Sequence, residues 1–265
     1  MQLQTIPHTM GAVNWVGLWT LYLREVRRFL KVYTQTLAAP IVTTLLFLAI
    51  FVLVLGGATR TVGGIAFTEF LAPGLIVMAI AQNAFANTSS SIVISKIQGN
   101  IIDTLMPPFT AHELTFGIAL GGASRGICVG VVVALAMAFF VDMTIHHWGF
   151  VLYHAFMASL MLSLLGTIGG IWSEKFDHIA AVTNFVITPL SFLSGTFYSI
   201  QRLPEAVQIA AHFNPFFYMI DGVRYGFTGY ADGSLMAGLA VMAGVNVCLW
   251  WLCTWMFASG YKLKD

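Results

Sequence analysis

FLSGTFYSIQRLPEAVQIAAHFNPFFYMIDGVRYGF runs over residues 192–227. It begins as the tail of an apolar run, turns polar, meets Pro204 and Pro215, and becomes aromatic. From residue 235 the chain is apolar again. Pro204 suits the first turn of a helix, and Glu205 is favoured beside a helix N-terminus. Leu203 and Pro204 thus open one helix. Asn214 before Pro215 makes a turn and a cap for another. Asp221 and Arg224 stand three apart and can pair on that second helix. Phe213, Phe216, Phe217, Tyr218, Tyr225 and Tyr230 are rings of the kind that settle at a membrane–water interface. The stretch predicts two short helices, 203–213 and 214–227, dipping partly back into one leaflet between two crossings. A lid that only seals the bundle is the other reading.

The surrounding chain supplies the membrane. Of 265 residues, 58% are hydrophobic and 9% charged, against about 25% charged in a soluble domain. A bilayer core of about 30 Å needs about 20 apolar residues in a helix. Six runs qualify: 36–56, 69–93, 114–141, 148–173, 179–200 and 235–258. The third and fourth exceed one crossing and are expected to tilt or extend into water. The fold class is an all-α integral membrane protein. Residues 1–34 form a cytoplasmic N-terminal segment, and 35–265 the transmembrane domain.

Charge sets the orientation. With the N-terminus inside, the inner segments hold Arg24, Arg27, Arg28, Lys31, Lys96, Lys175, Lys262 and Lys264, with Arg125 toward the same side. The outer segments hold Arg60, Arg202 and Arg224. This bias places both termini in the cytoplasm and the aromatic passage outside. A net charge of +1 gives no basic face for nucleic acid. Cys128, Cys248 and Cys253 lie in apolar runs, with no disulfide framework or metal spacing. The first ten residues lack Lys and Arg, so no removable signal peptide is expected.

Before the first span, Trp15, Leu18, Trp19, Tyr22, Val26, Phe29 and Leu30 recur at helical spacing. Arg24, Arg28 and Lys31 gather opposite. This predicts an amphipathic helix in the cytoplasmic interface, basic side toward anionic headgroups. Either a positive-inside anchor or a mechanical role fits. In SKIQGNIIDTLMPPFTAHEL, residues 95–114, Ile97, Ile101, Ile102 and Leu105 make a ridge among Lys96, Gln98, Asn100 and Asp103. Pro107 and Pro108 end it. A short surface helix follows, able to lie on lipid or dock into a partner protein.

Inside the spans, Gly122, Gly126 and Gly130 share a face, as do Gly166 and Gly170. Such faces let helices approach closely, since lipid offers no hydrophobic drive between them. Asn83, Asn87 and Ser91 form a polar stripe with Gln82 and Ser90; Asn184, Thr188 and Ser191 form another. Two readings stand: the lining of a path for an amphipathic substrate, or interhelical hydrogen bonding. Pro189 is expected to kink the fifth helix. The deepest charge is Arg125, near enough to the cytoplasmic end to snorkel, and no acid–base chain stands out. His146, His147 and His154 near Asp142 suit a metal site or, more simply, an interfacial loop.

Taken together the chain resembles the ABC-2 family of ATP-binding-cassette transporter permeases over nearly its whole length. The resemblance rests on FTEFLAPGLIVM (67–78), on SKIQGNIIDTLMPP (95–108), and most specifically on residues 176–229. There the spacing of Pro189, the Leu-Ser-Gly of 193–195, Leu203–Pro204, Asn214–Pro215 and Arg224 is similar to that family's C-terminal signature. It is nearest to bacterial half-size permeases of the drug, polysaccharide or nodulation-factor export type. The resemblance implies a bacterial inner-membrane subunit with six crossings. It implies two permease copies around a central path, a homodimer before a heterodimer, and two cytoplasmic ABC ATPase subunits. Lys96, Ile97, Asn100, Ile101, Asp103 and Leu105 become the ATPase-coupling helix. Asn83, Asn87, Asn184, Thr188 and Ser191 become candidates for the path. Leu203, Pro204, Asn214, Pro215, Asp221 and Arg224 become the outer gate. The coupling loop is less charged than in many relatives, with Asp103 only approximately in the acidic position. No G-x-x-x-x-G-K-[ST] occurs, so no phosphate cradle is present. The chain is expected to be non-catalytic and to bind no cofactor, with ATP and magnesium on the ATPase partner. An ATP-independent secondary transporter is the alternative, and it calls for a buried ionisable pair or inverted repeats.

Overall fold

The computed structural model describes residues 13–54 and 60–263. Lys264 and the last two residues of the predicted first span lie outside that set. Helix α1 is Trp15–Leu30, capped by Asn14, whose side chain accepts from Gly17 N at 3.0 Å. The first crossing, α2, is Thr34–Val54. A short antiparallel hairpin, β1 (Thr61–Val62) and β2 (Ile65–Ala66), pairs Thr61 with Ala66. Then come α3 (Phe67–Ile97), α4 (Ile101–Leu105), α5 (Ala111–Met137) and α6 (Trp148–Trp172). Helix α7 is Phe176–Leu193. The short α8 (Glu205–His212) and α9 (Pro215–Thr228) lead to α10 (Leu235–Ser259). Among the described residues six helices, α2, α3, α5, α6, α7 and α10, are long and apolar enough to cross a membrane. Helices suit that medium because they satisfy every backbone group internally.

Helix α3 is the hub. In its apolar centre 78% of residues are buried within this chain, against 11% for α2 and for α7. The cause is the glycine faces. A Cβ on Gly166 would lie 2.5 Å from Phe85 O, and one on Gly126 would lie 2.9 Å from Ile80 O. Only hydrogen fits, so α6 and α5 close onto α3. Hydroxyls then stitch the contact. Thr88 Oγ1 donates to Ser163 O at 2.8 Å, Ser159 to Ala123 O at 2.8 Å, and Ser163 to Ala119 O at 2.7 Å. The small-residue stripes therefore act within one subunit.

Prolines shape the two loosely packed crossings. Pro189 follows a widened turn at Thr183–Ile187, and Pro40 follows one at Thr34–Ala38. Each wide turn accommodates the missing N–H and the ring. The expected distortion is thus a helix bulge beside the proline. Helix α7 ends at Leu193, short of the predicted 200, because Gly195 turns the chain with φ +76°.

The two ends of the bundle have separate cores. At one end Leu21, Ile92, Leu114, Met256 and Leu263 pack together, joining α1 to the end of α10. At the other, Phe67, Phe70 and Met137 bury against one another with Tyr230 alongside. The N-terminal helix, the 98–110 loop and the C-terminal turn share the end predicted to be cytoplasmic.

Candidate functional site

At that end α1 is docked onto α5. Leu18, Leu21, Glu25 and Phe29 are buried, while Trp15 and Trp19 are exposed. The predicted apolar face is therefore split: its Leu18 and Phe29 pack on protein, and its tryptophans and Leu30 face outward. Gly121 of α5 leaves the room that the Glu25 side chain fills. Glu25 is fully buried, and a buried carboxylate persists only when paired. Its Oε1 accepts from Arg24 Nη2 at 3.1 Å and from Ser91 Oγ at 2.9 Å. Its Oε2 lies 3.3 Å from Arg28 Nη2. Arg28 also donates to Asn87 Oδ1 at 2.9 Å, to Asn87 O at 2.5 Å and to Ser90 Oγ at 3.2 Å. Burial pulls the Arg28 guanidinium below its usual range, and Glu25 opposes that pull. Arg24 reaches Thr104 Oγ1 of α4 at 2.8 Å. One carboxylate thus links α1, α3 and α4.

The expected coupling residues divide. Lys96 donates to Ile171 O at 2.7 Å and Ser173 O at 2.8 Å, closing the end of α6. Asn100 Nδ2 donates to Gln98 Oε1 at 3.3 Å. Ile101 and Leu105 pack against the end core, with Thr104 buried beside them. Asp103 and Ile97 are exposed, as are Ile102 at 59% and Met106 at 76%. The expected ridge of Ile97, Ile101, Ile102 and Leu105 is therefore two faces. Positions 101, 104 and 105 turn inward, and 102, 103 and 106 turn outward, as helical spacing requires.

At the opposite end the short helices form where expected. Pro204 precedes α8, and the Leu203 carbonyl accepts from Gln208 Nε2 at 2.8 Å. Leu203 itself packs onto the core. Asn214 caps α9 by accepting from Phe216 N at 3.1 Å, and Pro215 takes the first helical position. Asn214 Nδ2 also donates to Ser194 Oγ at 2.8 Å. Arg224 is fully buried and ties four segments together. It donates to Phe70 O at 3.2 Å and Gly195 O at 2.6 Å, and stacks 3.8 Å from the Phe70 ring centre. Asp221 lies 4.0 Å away and Asp232 3.9 Å. Asp221 in turn accepts from the N–H groups of Asp232 (2.8 Å) and Gly233 (3.0 Å). Burial pushes the Asp221 carboxyl above the usual carboxylate range; Arg224 pulls the other way.

The polar stripes also separate. Asn87 is fully buried and held by Arg28. Asn83 accepts from Arg125 Nη2 at 3.2 Å and donates to Ala79 O at 3.0 Å. Ser191 is buried and bonded to Ile187 O at 2.8 Å, while Asn184 is exposed. Asn83 and Thr188 line an open groove of about 760 Å³ between α2, α3 and α7.

A profile of the ABC-2 type transporter family matches residues 16–228. The chain belongs to the ABC-2 type transporter family. Among its relatives, the inner membrane transport permease YadH of Escherichia coli strain K12 is 36% identical over 256 residues, covering 97% of this chain and 100% of that one. Nodulation protein J of Rhizobium leguminosarum bv. viciae is 26% identical over 230 residues, covering 84% of this chain and 85% of that one. This ABC-2 chain is a multi-pass transport permease whose family works with ABC ATPase subunits.

Within this ABC-2 permease the histidines do not converge. His147 stacks on Tyr225 at 4.8 Å, and His154 Nδ1 meets Phe150 O at 3.0 Å. Among the described residues no group of three His, Cys, Asp or Glu could hold a metal. Glu25, Thr104 and Asp232 were invisible as site residues in the sequence. Each is held by a partner 11 to 80 positions away, and no local pattern announces that partner.

Proposed function

We propose that the chain is the membrane half of an ATP-driven exporter in the bacterial inner membrane. ATP and magnesium are held by two separate ABC ATPase subunits, and this chain is itself non-catalytic. The observation that carries the reading is the outward face of α4, Ile102, Asp103 and Met106, on a helix anchored from behind. An ATPase gripping that face would move Ile101 and Leu105 with it. Arg24 and Glu25 would pass the displacement to α1 and α3. A packed, hydrogen-bonded junction transmits a shift as a body. Lys96 would hold α6 to the same junction.

Two copies of the chain, as a homodimer, would place the largely uncovered α2 and α7 against each other or around the path. Asn83, Thr188 and Asn184 would then face the route of a hydrophobic, lipid-linked, saccharide or drug-like substrate. The Arg224 cluster would hold α8 and α9 as an outer gate. The reading is tested by mild-detergent purification from native membranes after crosslinking at the 95–114 loop. A co-purifying ATPase in equal number to the permease supports it. Crosslinking that captures no ATPase, together with transport that follows an ion gradient, overturns it.

A further inference from the structure

The groove between α2, α3 and α7 carries a charge that the fold does not balance. Arg125 is the fifteenth residue of α5, about 21 Å along that helix at ~1.5 Å per residue, and so lies at membrane depth, deeper than the snorkelling position expected from the sequence. Its hydrogen-bond partner is a neutral amide, Asn83 Oδ1. Among the described residues no carboxylate lies within ion-pair distance of it. Arg28 lines the same groove. Glu25 is the carboxylate paired with both Arg24 and Arg28. Glu25 is thus shared by two guanidiniums, Arg125 has no carboxylate of its own, and among the described residues no Asp or Glu lines the groove. An arginine in a span is costly and marks a partner or a ligand path.

The rest of the lining combines polar side chains, among them Gln35, Gln82, Ser90 and Thr188, with the apolar Phe47, Leu75 and Phe192. Guanidinium pairs match the geometry of phosphate and carboxylate oxygens. An apolar wall alongside accepts a hydrocarbon tail.

We propose that this groove binds an amphipathic anion, a phosphate or carboxylate headgroup on an apolar tail. The headgroup sits between Arg125 and Arg28, and the tail lies along Phe47 and Phe192. The inference rests on the exporter reading for its role as the substrate's entry site.

The test uses the full chain in nanodiscs of neutral phosphatidylcholine, with spin-labelled stearate as probe. The immobilised fraction is read as unlabelled dodecyl phosphate, dodecanol, dodecyltrimethylammonium or inorganic phosphate is added. Dodecyl phosphate should displace the probe at least about tenfold more effectively than either matched-tail control, the scale of one charge-assisted hydrogen bond. Arg125→Gln should weaken stearate binding by a similar factor, Arg125→Lys should retain most of it, and Arg60→Gln should leave it unchanged. If Arg125→Gln does not assemble, the charge selectivity of the wild-type chain decides alone. Displacement by phosphatidylglycerol in the disc would assign the anion to a bilayer lipid; its failure would assign it to a separate amphiphile. Equal displacement by the alcohol and the phosphate overturns the proposal, as does displacement by inorganic phosphate alone. ATPase stimulation by the chain, measured in parallel with its partner, separates the two failures. Stimulation without anion selectivity sinks only this inference, and no stimulation sinks the exporter reading.

Discussion

Replacing Arg224 by Met should loosen the outer end of the bundle more than any other single change there. The guanidinium is fully buried, donates to Phe70 O and Gly195 O, and stands about equally far from Asp221 and Asp232. Removing one partner of a buried pair costs about 3–5 kcal/mol, because the remaining charge is left uncompensated. At ~2–4 °C per kcal/mol for a chain of this size, a loss of about 4 kcal/mol lowers the thermal midpoint by roughly 8–16 °C. Arg224→Lys keeps the charge over the Phe70 ring but loses the fork. It should cost about 1.5–3 kcal/mol, the scale of one hydrogen bond to a charged group. Burial raises the Asp221 carboxyl, and Arg224 opposes that. Without Arg224, Asp221 climbs further and takes up a proton more readily when folded. A carboxyl raised in the folded state gives stability at low pH that is lost as pH rises through its folded value. The deficit of Arg224→Met should therefore be largest at alkaline pH and shrink as the pH falls. Thermal unfolding in detergent, read by size-exclusion of the remaining monodisperse protein across a pH series, measures both. An Arg224→Met midpoint within about 2 °C of wild type at neutral pH, under ~1 kcal/mol on the same scale, would refute the reasoning.

The same assay checks the packing of the hub. Gly166→Ala places a methyl 2.5 Å from Phe85 O and should cost about 1–3 kcal/mol by overpacking. Gly244→Ala meets nothing within 4 Å and should be neutral or gain up to about 1 kcal/mol from helix propensity. Glu25→Gln keeps the size of the side chain but strips the charge from Arg24 and Arg28. It should lower stability by about 3 kcal/mol and reduce ATPase stimulation with it, and adding Arg28→Gln should restore part of the stability. A double variant no better than the single one would dissociate Glu25 from Arg28.

What the sequence showed and what it hid have a common physical cause. A crossing declares itself through length and apolar content, so all six helices were legible, and α6 and α10 fell almost on their predicted bounds. The predicted bound of α7 overran because Phe197, Tyr198 and Ile200 extend the apolar signal past Leu193, while Gly195 has already turned the chain. The cap at Asn214 was legible because capping is a local matter, and Pro204, expected in the first turn, stands one position before that turn. Glu25 was not. It sits among arginines on a helix that reads as a simple basic amphipath, and only Ser91, from α3, and Arg24 and Arg28 at once explain its burial. The coupling ridge misled for a related reason. Four apolar residues in a nine-residue window look like one surface, and only the end core shows which of them face inward. Asn83 and Asn87, one turn apart, serve different partners, Arg125 and Arg28.

The most direct test of the central claim is the hydrolysis rate of the partner ATPase in proteoliposomes, with and without this chain. Wild-type chain should change the rate, and Ile102→Asp with Met106→Asp should abolish that change while leaving the thermal midpoint of the permease intact. A rate indifferent to the chain, or to the charge placed at Ile102 and Met106, would contradict the account of α4 as the surface on which the motor acts.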